Sequence, residues 1–217
     1  MDEWLSLYKG GNGEIIEKKS RFIASIEVVK SQEEASEFIN SIKKKYWDAK
    51  HNCSAFVIGD DGEMTRCSDD GEPSGTAGRP MLEVLKGEKI TNVCVVVTRY
   101  FGGVLLGTGG LVRAYQAAVK EGLANCSVLK RIKGYALKVS CDYSDLAKIQ
   151  FLCKQNDYYL GEIDYGQNVV MQIIIPIESF DALSASLMDA TSARAGIDDK
   201  QDIVYAMIDG KPEVFAE

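Results

Sequence analysis

Histidine is almost missing from these 217 residues: His51 is the only one, so any chemistry that needs an imidazole must use it. The six cysteines (Cys53, Cys67, Cys94, Cys126, Cys141 and Cys153) form no C-x-x-C pair, so their spacing leaves a four-ligand zinc site without its second half. The chain is too large to need disulfide staples, and the cysteines read as reduced thiols. Long apolar runs are absent as well, since no window approaches the roughly 18 unbroken apolar residues that span a bilayer. The opening MDEWLSLYKGGNGE carries acids and lacks the basic-then-apolar order of a secretory signal. Together these absences describe a cytoplasmic protein with no membrane partner. Neither a Walker A loop nor G-x-G-x-x-G occurs, and there is no internal repeat.

What is present is globular in kind: 46% hydrophobic and 26% charged residues leave no case for disorder. The net charge of −7 argues against general nucleic-acid binding, and no DNA sequence specificity is expected. That average conceals an asymmetry. Residues 1–133 hold 19 Lys/Arg against 18 Asp/Glu, a net of +1, whereas 134–217 hold 6 against 14, a net of −8. A phosphate-rich partner would be met by the first part.

Periodicity predicts strands at 14–17 and 22–29 around a polar break at Lys18-Lys19-Ser20. A helix follows, opened by a Ser31/Glu34 capping box and closed by the basic tract Lys43–Lys45. Strands are expected at 53–58 and 64–67, a short helix at 80–85, and a strand at 90–98 whose unbroken apolar run places it centrally, covered on both faces. The strongest helix is 111–125. Residues 129–134, LKRIKG, read as a basic linker between two domains, 1–130 and 134–217. The remainder reads strand, helix, strand, strand, helix, strand, the ferredoxin-like βαββαβ order. The fold class is α+β.

Two glycine-rich segments carry the functional expectation. Residues 71–80 contain three glycines and two prolines, including Gly75 and Gly78, before a helix start flanked by Arg79. Free amides at such a start suit an anion, and Asp69, Asp70 and Glu72 have the chemistry to hold a divalent metal bridging to phosphate. A packed loop with solvated acids is the competing reading. Residues 102–110 contain five glycines and open directly into the best helix through Gly107, Thr108, Gly109 and Gly110. Arg99 and Arg113 flank them, and Tyr100, Phe101 and Tyr115 offer planar faces to a base. Here the alternative is that Tyr115 is core and the glycines permit close helix–strand packing. His51 and Cys53 lie two apart, on one face of a strand. They form a conceivable nucleophilic pair without an orienting third group, or His51 simply hydrogen-bonds at the rim of the glycine-rich surface.

KKSRFIA at 18–24, the pattern His51-x-Cys53-x-Ala55, DDGEPSGTAGRPML at 69–82 and VVVTRYFGGVLLGTGGLVRAYQAA at 95–118 together resemble the YigZ/IMPACT family. The resemblance implies a first domain like one in a small-subunit ribosomal protein and like domain IV of elongation factor G, with a left-handed βαβ crossover. It implies a second domain like domain V of that factor. The eukaryotic branch restrains a translational stress kinase by competing for its co-activator, and carries a preceding RWD domain that these motifs do not include. Some bacterial members are labelled proline dipeptidases, for which a single histidine is too few. Three functions follow as expectations: a translation-linked protein binding RNA, nucleotide or ribosome; an enzyme acting on a small phosphorylated substrate; or a protein-interaction module. No resident cofactor is expected beyond a possible divalent metal.

Overall fold

Residues 2–215 are described by the structure, a computed structural model, and fall into two units, from Glu3 to Leu129 and from Lys130 onward. The first unit runs β1 (Glu3–Lys9), β2 (Gly11–Glu17), β3 (Ser20–Val28), α1 (Gln32–Lys45), β4 (His51–Ile58), β5 (Met64–Ser68), α2 (Gly78–Gly87), β6 (Ile90–Thr91), β7 (Val93–Tyr100) and α3 (Thr108–Ala124). The chain continues through β8 (Ser127–Cys141), α4 (Leu146–Gln155), β9 (Tyr159–Tyr165), β10 (Val169–Pro176), α5 (Phe180–Thr191), β11 (Gly196–Ile208) and β12 (Lys211–Phe215). The α+β class expected from the sequence is the class observed.

The five-stranded sheet of the first unit has the order β2-β3-β7-β4-β5, every neighbour antiparallel. The valine-rich strand β7 is its centre, as its unbroken apolar run requires. Val93, Val95 and Val97 pack with Met81 and Leu85 of α2 and with Tyr115, Ala118 and Val119 of α3. Cys94, on the opposite parity, packs with Phe56, Ile58 and Ala35 under α1. α2 and α3 therefore share one face of the sheet, and α1 holds the other.

Helix α1 begins where the sequence places it. The Ser31 hydroxyl accepts from the Glu34 amide at 3.1 Å, while the Glu34 carboxylate reaches back to the Lys30 amide at 2.7 Å. Ser31→Ala is expected to lower stability by about 1 kcal/mol, read from the urea midpoint with the slope unchanged. An unmoved midpoint would show that water replaces the cap at no cost.

In the second unit the antiparallel order β12-β11-β8-β10-β9 contains the ferredoxin-like arrangement, with β12 added at one edge. Leu137, Val139 and Ile173 pack under Ile149 of α4 and Leu183 and Leu187 of α5. The expected linker at 129–134 is not a linker. It lies inside β8, where Gly134 pairs with Pro176 and Ile203, and Lys133 with Val204. Its basic residues Lys130, Arg131 and Lys133 fall on both faces of a strand, and charge alone does not distinguish such a run from a polar connection. Among the described residues no helix is long and apolar enough to cross a membrane.

Candidate functional site

Strands β4 and β7 run antiparallel with His51 opposite Arg99 and Cys53 opposite Val97. All four residues share the parity of the α2/α3 face, at the end of the sheet where both glycine-rich segments arrive. Arg99 is 7% exposed, and its Nη1 donates to Glu72 Oε1 at 2.7 Å. The same oxygen accepts from the Tyr115 hydroxyl at 2.9 Å. The guanidinium lies between the rings of Phe22 and Phe101, 5.4 and 5.6 Å from their centroids. Its Nε is buried without a hydrogen-bond partner.

Above this pair opens a cleft of about 710 Å³, lined among others by Lys50, His51, Glu72, Arg99, Phe101, Gly107 and Thr108. Gly107 is the N-cap of α3 with φ of 73°, a left-handed conformation that suits glycine, and no side chain caps the helix. The amides of Thr108, Gly109 and Gly110 precede the first intrahelical bond, from Leu111 N to Gly107 O, and none has a partner among the described residues. The start of α3 is thus an open, positively polarised helix end facing a cleft.

The start of α2 is different. Asp69 Oδ1 accepts from the amides of Ala77 and Gly78 at 3.0 and 2.8 Å, and Oδ2 from Gly75 at 2.7 Å. The anion expected there from outside is supplied by the chain itself, so Gly75 and Gly78 have no amide to offer a ligand. Burial raises the Asp69 carboxyl, but the bonds from Gly75, Gly78 and Ala77 outweigh it and hold the group below its usual range. Arg79 is exposed, pairs with Glu83 at 3.3 Å, and is not among the residues lining the cleft. Its place in an anion site is corrected accordingly.

The possible metal is corrected on similar grounds. Asp69 is committed to amides and Glu72 to Arg99 and Tyr115. Asp70 is committed to Lys43 Nζ at 2.6 Å and the Asn52 amide at 2.7 Å. The three carboxylates do not converge, and among the described residues no group of three or more His, Cys, Asp or Glu is placed to hold a metal. The pairing of Lys43 with Asp70 also removes part of the basic tract from any phosphate surface.

The Cys53–His51 pair fails on burial. Cys53 is 0% exposed, its thiol donates to Asp69 O at 2.9 Å, and burial pushes its pKa up to about 12 despite the Tyr115 hydroxyl at 3.3 Å. It stays protonated near neutral pH and is no nucleophile. Tyr115 is wholly buried, makes an edge contact with Phe22, and cannot stack on a ligand. Of the six cysteines only Cys67, at the end of β5, is exposed. His51 Nδ1 lies 3.0 Å from Asp70 O; a carbonyl only accepts, so Nδ1 carries the proton and Nε2 is the ring's free acceptor when neutral. Arg113 is exposed and lines a second groove beside Gly110.

Sequence reasoning missed Lys18 and Lys19 as candidate site residues. They are the two loop residues of the β2–β3 hairpin, closed by the pair Glu17 and Ser20. The available signal was two polar residues between two strands, the commonest hairpin length.

A model of the Impact N-terminal domain matches residues 18–123, and a model of a domain of unknown function, DUF1949, matches 139–194. The chain is 42% identical over 197 residues to IMPACT family member YvyE of Bacillus subtilis, covering 91% of each. It is 38% identical over 174 residues to IMPACT family member YigZ of Escherichia coli, covering 79% of this chain and 85% of that one. A crystal structure of a hypothetical protein, 35% identical, superposes with a TM-score of 0.59 over 91% of this chain and 97% of its own.

Proposed function

The chain belongs to the IMPACT family, and on that premise we propose that it is a translation-linked binding protein whose first unit takes a phosphate-bearing ligand, RNA or a nucleotide, in the cleft at the start of α3. One observation carries the reading. The uncapped first turn of α3 shares a cleft with a buried arginine whose Nε has no partner. Backbone amides and a guanidinium edge are the two donor sets that phosphate oxygens use most.

The surroundings fit a nucleotide. Phe101 is 56% exposed with Arg99 against its ring, which leaves aromatic surface open to a base. Lys50 adds a flexible cation, and His51 Nε2 an acceptor suited to a ribose hydroxyl. Glu72 neutralises Arg99 and Asp48 accepts from the Tyr100 hydroxyl at 2.7 Å, so the cleft is polar rather than strongly basic. That balance agrees with a selective pocket better than with indiscriminate binding. An enzyme on a small phosphorylated substrate has less support, because each nearby carboxylate is committed to a fixed donor and Cys53 is protonated.

Fluorescence polarisation of labelled single-stranded RNA and of nucleotides, at rising salt, tests the reading. Binding should weaken linearly in log–log form, with a slope of about 0.7 per phosphate contact on a single strand. Lys50→Ala is expected to reduce affinity several-fold. Absence of binding to RNA, ribosomes and nucleotides at low ionic strength removes the proposal.

A further inference from the structure

The cleft is not the only cavity at the start of α3. A second groove of about 270 Å³ is lined by Ile15, Glu17, Lys18, Leu106, Gly110 and Arg113, among others. Leu106 also lines the cleft, so the two cavities flank the same helical turn. One side presents Arg99 and Lys50, the other Lys18 and Arg113, with Glu17 as the groove's carboxylate. The open amides of Thr108, Gly109 and Gly110 lie between them.

Lys18 reaches this groove from an improbable backbone. Lys18 and Lys19 have φ of 45° and 67°, the left-handed pair that a two-residue hairpin turn needs. Asn-Gly fills such a turn readily; two lysines do so against their preference. The turn is also fastened to the glycine-rich loop. The Gly102 amide donates to Ser20 Oγ at 3.1 Å, and a Cβ on Gly102 would collide with the Lys19 carbonyl. The lysine turn is thereby tied to the loop that leads into α3.

Resting on the reading of the cleft as a phosphate site, we propose that the ligand is single-stranded RNA whose backbone crosses the first turn of α3, one phosphate received at Arg99 and the amides, further ones at Lys18, Lys19 and Arg113. A mononucleotide occupies one cavity and leaves the other's cations unused. A chain of phosphates uses both. Phe101 beside Arg99 supplies the aromatic face that a strand needs and an acidic peptide does not, which decides between these two polyanions.

The test replaces the turn by the residues its geometry favours, Lys18→Asn with Lys19→Gly. This variant should melt no lower than the parent, so a loss of binding cannot be charged to unfolding. Affinity for a 12-nucleotide single strand is expected to fall about tenfold or more, and the salt slope to shrink by about 1.4, two contacts at about 0.7 each. AMP binding should be unchanged. Arg113→Gln should shrink the strand's slope by about 0.7 through an independent residue. A parent that binds neither RNA nor AMP defeats the cleft reading itself. A parent that binds AMP while the strand ignores both substitutions overturns only the two-sided strand. So does an acidic peptide whose binding needs Lys18 and Lys19 when the RNA's does not.

Discussion

Glu72→Ala is expected to destabilise the protein by about 3–5 kcal/mol, read from equilibrium urea unfolding. The magnitude comes from what is left behind. Arg99 would stay in place at 7% exposure with neither its carboxylate nor, at Nε, any other acceptor. Tyr115 would lose the acceptor of its hydroxyl in a fully buried position. The rings of Phe22 and Phe101 offset part of the guanidinium's charge, which keeps the loss within this range. Glu72→Gln retains an oxygen for Tyr115 and should recover part of it. Replacing Glu72 and Arg99 together by methionine should cost less than Glu72→Ala alone, since an apolar pair leaves no orphaned charge. A single-variant loss below about 1 kcal/mol would show that water entering from the cleft satisfies Arg99 and Tyr115 once the carboxylate is gone.

Asp69→Ala is the second large effect, about 2–4 kcal/mol, because three amides at the start of α2 lose one acceptor group. Asp69→Asn would not restore it, since the introduced NH₂ must face at least one of those N–H groups. The pH dependence has a definite sign. A carboxyl held below its usual value contributes stability that is present above the unfolded-state pKa, about 3.9, and lost as pH falls through the lower folded value. Asp69→Ala should therefore flatten the acid limb of the stability profile below about pH 4. Inorganic phosphate should raise the melting temperature of the variant more than that of the parent, because the substitution opens the anion site that Asp69 fills. Equal responses to phosphate would mean that the α2 amides are satisfied in some other way.

The two glycine-rich segments show where sequence reading succeeds and where it stops. Both open helices, both carry arginines, and their local patterns are alike. What separates them is the distance from Asp69 to three amides six to nine residues on, which depends on how the loop folds back. The central position of β7, the Ser31 cap and the ferredoxin-like order are legible because each rests on local periodicity or capping chemistry. β1 is not, because it pairs with the distant β6, whereas β12 pairs with β11 across the two-residue turn Asp209-Gly210, a local hairpin signal that the sequence reading passes over. Tyr115 reads equally well as core or as a stacking platform. Its neighbours in sequence are helical in either case, and its burial against Phe22 with the hydroxyl on Glu72 resolves it. Lys18 and Lys19 escape a sequence reading because a basic pair at a hairpin tip is ordinary until its backbone angles are known.

The distribution of thiols has a practical consequence. Cys53 and Cys94 are buried with pKa values pushed up to about 12, Cys126 and Cys153 to about 11, and Cys141 is buried and raised as well. Cys67 stands apart from them in exposure, two positions before the carboxylate that closes the start of α2. A maleimide dye would attach there selectively in the unmodified protein. It would give the loop a fluorescent reporter without engineering a new cysteine or disturbing the cleft it adjoins in sequence.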